Sequence, residues 1–310
     1  MKHFINLQDI SASYLRKIIS DAKRKKKKRK NLNVLDLDKN GPLKGKLLIQ
    51  MFEKSSLRTR LSFYLAIKQL GGGVLTLRPN ELHLRKGGES LADTAKILST
   101  FGNAFMLRTD SDAKLDEFKN HLSIPIINGL SPYSHPTQVL SDVFTIEEIK
   151  KKPISRLKIC WIGDGNNNVI NSLIAASVKF SFNLNIGCPK KYEPSKIALD
   201  WVKKNKRKIK VFNDAKNAAK NADIIFTDKV ISMNDKVNKA KKLKDFKNFQ
   251  VNSKVISCAK KDEIFLHCLP RGSEVSDDVF LGKQSKVWQQ AQNRVYVQKS
   301  ILLYCLEKLR

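Results

Sequence analysis

Short apolar runs and amphipathic runs alternate along this chain from residue 46 almost to its end, and that alternation most narrows the folds open to it. Apolar runs at 46–52, 74–77, 104–108 and 124–127 read as buried strands, and the runs 57–70, 90–101 and 112–120 carry helical spacing. A second series follows, with strands over 157–162, 183–186, 209–212, 223–227 and 263–267. Helices are expected between them over 169–180, 194–204, 213–221 and 235–245. Strand–helix–strand repetition of this kind builds parallel sheets with helices on both faces. Two such series in 310 residues predict an α/β protein of two domains, each a parallel sheet flanked by helices. The junction is expected near residue 135, giving domains over 1–134 and 151–293 with a connecting helix over 135–150, whose first turn Pro136 suits. Residues 4–20 are expected to form a further helix, with Ile10, Tyr14, Leu15, Ile18 and Ile19 on one face. Residues 294–309 read as the closing helix.

Composition excludes several classes. No apolar stretch reaches the roughly 20 residues needed to span a bilayer, and the first residues lack the apolar core of a signal peptide. Five widely spaced cysteines without a C-x-x-C pair suggest free thiols and a cytoplasmic setting. The net charge of +30 invites a nucleic-acid reading, most of all at the unbroken Lys/Arg run over 23–30. Without that run, 51 basic residues still face 29 acidic ones, so the excess is spread over the chain. No aromatic interleaving accompanies it, and the run, Lys26 included, reads as a solvated face.

In open parallel sheets, ligands bind beyond the carboxyl ends of the strands. Five clusters fall there: Ser56-Leu57-Arg58-Thr59, Arg108-Thr109, His135-Pro136-Thr137-Gln138, Asp228 with Ser232-Met233, and His267-Cys268-Leu269-Pro270. At the first, Ser56 is expected to cap a helix whose free N–H groups, with Arg58 and Arg60, would suit phosphate. Gly163-x-Gly165 lacks the third glycine of a dinucleotide fingerprint, so no nicotinamide cofactor is expected. His267 and Cys268 are neighbours without a second ligand pair, so no metal is expected either.

Together and in this order, the clusters resemble the aspartate/ornithine transcarbamylase family along essentially the full chain. The carrying motifs are S-x-R-T at 56–59, H-P-T-Q at 135–138, G-D-G-N-N at 163–167, D-x-x-x-S-M at 228–233, H-C-L-P at 267–270, and Asn293-Arg294. The S-M pair and the cysteine of H-C-L-P are similar to the ornithine branch. The resemblance implies transfer of a carbamoyl group from carbamoyl phosphate to the δ-amine of L-ornithine, giving L-citrulline and phosphate, as in arginine biosynthesis. It implies that the first domain holds carbamoyl phosphate through Ser56, Leu57, Arg58, Thr59, Arg108, His135 and Gln138. Cys268, Leu269 and Arg294 would join them, with the last helix packing back on the first domain. Ornithine is implied at Asn167, Asp228, Ser232 and Met233, and Arg58, His135, Asp228 and Cys268 are the implied catalytic groups. Closure of one domain on the other would exclude water. A homotrimer with active sites shared between subunits is implied, with no cofactor and no membrane.

Three positions depart from the family pattern. Leu57 stands where a threonine is usual, Asn234 where a glycine is usual, and the 81–89 loop matches poorly, leaving His83 as stand-in for a residue lent to a neighbouring subunit. Two alternatives stay open: a transcarbamylase for another amine such as N-acetylornithine, and a basic nucleic-acid-binding protein on the same scaffold.

Overall fold

The computed structural model describes residues 1–78, 88–231 and 238–309. The chain divides into two compact units, one of Met1–Phe144 with Gln292–Arg310 and the other of Thr145–Ala291.

The first unit holds a four-stranded parallel sheet in the order β2-β1-β3-β4. The strands are β1 (Leu47–Phe52), β2 (Gly73–Leu77), β3 (Ala104–Arg108) and β4 (Ile126–Leu130). Helices α2 (Arg58–Gln69), α3 (Leu91–Phe101) and α4 (Asp112–His121) make the crossovers. β1 and β3 are buried almost throughout, which is why they read as mainly apolar runs instead of alternating ones. Ile49, Met51, Phe105, Leu107 and Ile126 form one core cluster with Leu98, Leu115 and Phe118 of the helices. Ser90 and Ser111 cap α3 and α4 by accepting from Asp93 N–H and Lys114 N–H.

Two sequence expectations need correction in this unit. The N-terminal helix is α1, Ala12–Lys28, not 4–20. Phe4 is drawn out of it because its backbone pairs with β4, donating to the Ile126 carbonyl and accepting from Asn128 N–H. Ser11 then caps α1 through Tyr14 N–H. The basic run is also less solvated than expected. Arg29 is buried, donating to Asp38 at 2.7 Å and to the carbonyls of Asn33 and Asp36. Lys26 reaches Asn293 at 2.7 Å, and Lys299 of the last helix meets both Asp38 oxygens at 2.9 Å.

The second unit holds five parallel strands in the order β7-β6-β5-β8-β9. They are β5 (Lys158–Ile162), β6 (Asn183–Gly187), β7 (Lys210–Phe212), β8 (Ile224–Thr227) and β9 (Ile264–His267). Between them run α6 (Asn168–Phe180), α7 (Lys196–Lys204), α8 (Ala215–Ala219), α9 (Lys239–Asp245) and the single turn α10 (Ser253–Ile256). Another single turn, α11 (Asp277–Phe280), follows β9. These turns are too short to leave a periodic signal. The division of the chain falls inside two helices, α5 (Pro136–Lys150) and α12 (Val287–Cys305), and α12 begins well before the expected residue 294. Among the described residues no helix is long and apolar enough to cross a membrane.

Strand order reverses between β1 and β3 in one sheet and between β5 and β8 in the other. Each reversal opens a crevice at the strands' carboxyl ends, where helices leave for opposite faces.

Candidate functional site

At the β1/β3 reversal, cationic and polar side chains from three helices meet. α2 begins at Arg58 with Leu57, not Ser56, in the cap position, and no side chain caps it. Its first N–H groups therefore lack a local acceptor of the usual kind. Ser56 is half-buried, while Leu57 is 68% exposed, so its side chain adds nothing polar to this end. Thr59 is buried, and its hydroxyl accepts from Arg294 Nη2 at 2.8 Å. Arg294 Nη1 donates to Gln138 Oε1 at 2.9 Å, and Gln138 Nε2 donates to Asp142 at 2.9 Å. Thr59 on α2, Gln138 on α5 and Arg294 on α12 are thus pinned to one another.

The electrostatics here are those of an anion site. Arg108 ends β3 and is buried; burial first, then the charge of Arg58, lowers its guanidinium to about 10. His135 is buried immediately before α5. Burial, then the charges of Arg294, Arg108 and Arg58, holds its imidazole well below the ordinary histidine value, so it is neutral at pH 7. Its Nδ1 lies 3.5 Å from the Thr137 hydroxyl. An imidazole kept neutral by surrounding positive charge can donate one N–H without adding a further cation.

The two strand ends are held in place by a residue that sequence reasoning passed over. Glu53 follows β1; its carboxylate accepts from the Thr109 hydroxyl at 2.5 Å and pairs with Lys114. Glu53 N–H also donates to the Arg108 carbonyl at 2.9 Å. A carboxylate at the end of a buried strand was the available signal.

In the second unit, the β5/β8 reversal brings Gly163 against the start of the loop after β8. Gly163 has φ +142°, and a Cβ there would lie 3.4 Å from Thr227 Oγ1 and 3.9 Å from the Asp228 carbonyl oxygen. Those contacts would be ordinary, so it is the φ that calls for glycine here. Asp228 itself is half-buried. Asn167 caps α6: its Oδ1 accepts from Val169 and Ile170 N–H at 2.9 and 3.0 Å. Among the described residues its Nδ2 meets no acceptor, which leaves a donor suited to a carboxylate. Asp164 shapes the turn before it, accepting from Asn166 N–H at 2.9 Å and pairing with buried Lys242 of α9 at 2.7 Å. Lys242 was hidden in a lysine-rich helix and carried no sequence signal.

Cys268 and Leu269 follow β9, and Cys268 is 8% exposed. Leu269 adopts φ +59°, a left-handed conformation rare for a branched side chain. His83, Ser232 and Met233, with Asn234, lie outside the described residues. Arg58, Thr59, Arg108, His135, Gln138 and Arg294 thus gather in the first unit, and Asn167, Asp228, Cys268 and Leu269 stand at strand ends of the second.

The sequence matches two family models. Residues 2–148 match the aspartate/ornithine carbamoyltransferase carbamoyl-P binding domain, and residues 155–305 match the Asp/Orn binding domain. The chain is 41% identical over 307 residues to an ornithine carbamoyltransferase of Nitrobacter winogradskyi, covering 98% of this chain and 97% of that one. Among solved structures it resembles the ornithine carbamoyltransferase from Pyrococcus furiosus, with a TM-score of 0.91, 37% identity, and coverage of 100% and 98%. It also resembles the anabolic ornithine carbamoyltransferase from Campylobacter jejuni, with a TM-score of 0.89, 37% identity and full coverage of both chains.

Proposed function

Since the chain belongs to the aspartate/ornithine carbamoyltransferase family, we propose that it carbamoylates the δ-amine of L-ornithine with carbamoyl phosphate, releasing L-citrulline and phosphate. The anabolic character of the Campylobacter relative supports arginine synthesis as the direction. The observation that carries the reading is the cluster of buried Arg108 and Arg294 with half-buried Arg58 around a neutral His135.

A phosphate dianion answers that charge. In this reading Ser56, the backbone at Leu57, Arg58, Thr59 and Arg108 hold the phosphate at the start of α2. The carbamoyl carbonyl gains negative charge as the amine attacks, and donors aimed at that oxygen lower the barrier. Arg58, Thr59 and His135 are the donors; if the Thr137 hydroxyl donates to His135 Nδ1, the proton sits on Nε2 and faces the substrate. Gln138 is occupied on both sides by Arg294 and Asp142, so its part is to orient Arg294 as well as to meet the carbamoyl group. The phosphate that leaves is stabilised by the groups that bound it.

Ornithine's δ-amine resembles that of lysine, with a pKa near ~10.4, so presenting it neutral at pH ~7.5 costs about 4 kcal/mol. Asp228 would receive the ammonium and accept its proton as attack proceeds. Asn167, with Ser232 and Met233, would hold the amino-acid end, with Asn167 Nδ2 on the carboxylate. Cys268 would orient the amine, and the Leu269 carbonyl would hold the carbamoyl NH2. No covalent enzyme intermediate is needed, because the substrate amine attacks directly. A homotrimer with His83 lent to a neighbouring site, and a cytoplasmic setting, complete the proposal.

The test is a product assay with carbamoyl phosphate offered against ornithine, N-acetylornithine, N-succinylornithine and aspartate in parallel. Citrulline is expected from ornithine and negligible product from the other three. Salt-dependent binding of nucleic acid without citrulline would favour the alternative instead.

A further inference from the structure

His267 has no role in the chemistry just proposed, yet it is buried and bonded at both ring nitrogens. Its Nδ1 accepts from Leu269 N–H at 2.8 Å, and its Nε2 faces Glu274 Oε1 at 2.9 Å. An imidazole whose Nδ1 accepts must carry its proton on Nε2, and that proton goes to the Glu274 carboxylate. Its own backbone N–H donates to Gln290 Oε1 at 3.0 Å. Glu274 is equally enclosed, with a side chain 2% exposed, and also accepts from Gly272 N–H. Burial pushes the Glu274 carboxyl up, but the bonds from His267 and Gly272 outweigh it and hold the group below its ordinary value. Glu274 is therefore an anion at neutral pH and a fixed acceptor.

Leu269 is the residue that this arrangement constrains. A leucine at φ +59° is strained and persists only where its surroundings over-determine it. The His267 bond to Leu269 N–H supplies that constraint from within the turn. Phe265 and Phe280 flank the imidazole edge-on or tilted, at 6.4 and 6.3 Å between ring centres, which leaves the ring little freedom to turn.

We propose that Glu274 and His267 are positioning residues: the carboxylate fixes the histidine tautomer, and the histidine holds Leu269 so that its carbonyl and the Cys268 thiol point where the reaction needs them. This rests on the carbamoyl-transfer reading for its kinetic consequence. The contact itself does not.

The two amide variants of His267 separate the proposal from simple structural support. In His267→Asn the side-chain oxygen falls near the place of Nδ1 and still accepts from Leu269 N–H. In His267→Gln the amide reaches the place of Nε2, keeps Glu274 as partner, and leaves Leu269 N–H without an acceptor. Steady-state kinetics on the full chain are expected to show kcat for citrulline down about 100-fold in His267→Gln, the scale of a misplacement near 1 Å. His267→Asn is expected to recover most of that loss. Amide exchange at Leu269, read on the same samples without substrate, is expected to stay slow in His267→Asn and to become fast in His267→Gln. Equal kcat in the two variants, or equal protection of Leu269, overturns the inference. Wild-type protein that forms no citrulline overturns the functional reading instead, and the exchange comparison then decides the positioning claim alone. Should His267→Gln fail to fold, Glu274→Leu serves: it should lower kcat about tenfold alone and add nothing to His267→Asn, and additive losses overturn the inference.

Discussion

The two strand-order reversals of this protein handle charge in opposite ways. At the β1/β3 reversal, positive groups accumulate: burial and then the charge of Arg58 lower the proton affinity of Arg108, and Arg294 donates to the neutral oxygens of Thr59 and Gln138. At the β5/β8 reversal and the neighbouring end of β9, buried charges have local partners. Asp164 meets Lys242, and the Glu274 carboxylate meets the His267 imidazole. Gathering like charges in a partly desolvated site is costly in a folded protein and persists where an anionic ligand completes it. Paired buried charge shapes the backbone. The same architecture thus serves in one unit to hold an anion and in the other to fix loops that carry Asn167, Asp228 and Leu269.

The largest effect should come from removing a cation at the start of α2, where the phosphate is proposed to sit. Arg58→Ala is expected to lower kcat/KM by about 10³-fold with little loss of thermal stability, because the group acts on the transition state. Lys27→Ala, an exposed position in the basic run, should change kcat/KM less than about twofold. Steady-state citrulline assays decide this, and equal losses in both variants would erase the distinction drawn above. Lys26 is no fit control, since it reaches Asn293 beside Arg294. In the paired unit the order should reverse. Lys242→Met leaves Asp164 buried without its cation and should cost about 3 kcal/mol in urea unfolding. Adding Asp164→Asn should return a large part of that loss. If the single variant is as stable as wild type, the pair is not what shapes the turn before Asn167.

How much of this was legible beforehand follows the same physics. Strands such as β1, β3 and β5 announced themselves because both their faces are buried, so their composition alone is diagnostic. Arg58, Arg108, His135 and Arg294 could be singled out because their types, placed at strand and helix ends, suit phosphate. The start of α1 was misread because Phe4 pairs with β4, a contact with residues more than a hundred positions away that no local pattern reports. The cap of α2 was misread for the converse reason. Ser56 is a good capping residue, but the helix begins one position later, so Leu57 takes the cap position and no side chain caps the helix. Lys242 was invisible because it works through Asp164, remote in sequence, and the partners of Glu53, Lys114 and Thr109, are equally remote, so its strand-end position was its one signal.

The smallest of these effects concerns pH, and it isolates the cationic cluster without any substrate. Burial and three nearby arginine charges keep folded His135 neutral, whereas the unfolded chain binds a proton there below about pH 6.5. Below that value the unfolded state therefore holds more protons than the folded one, and stability must fall as the solution is acidified. This contribution is fully present above about pH 6.5 and is lost at up to about 1.4 kcal/mol per pH unit below it. His135→Gln removes the titrating group, so its unfolding free energy should decline less steeply between pH 6.5 and 5 than that of wild type. The comparison is made by urea unfolding at matched ionic strength, and the carboxylates common to both proteins cancel in the difference. Raising the salt should narrow the gap only slightly, because burial is the larger cause and a buried site is weakly screened. Parallel curves for the two proteins would mean that His135 is protonated in the folded state, and a protonated His135 would make the cluster too positive for the neutral-donor role assigned to it.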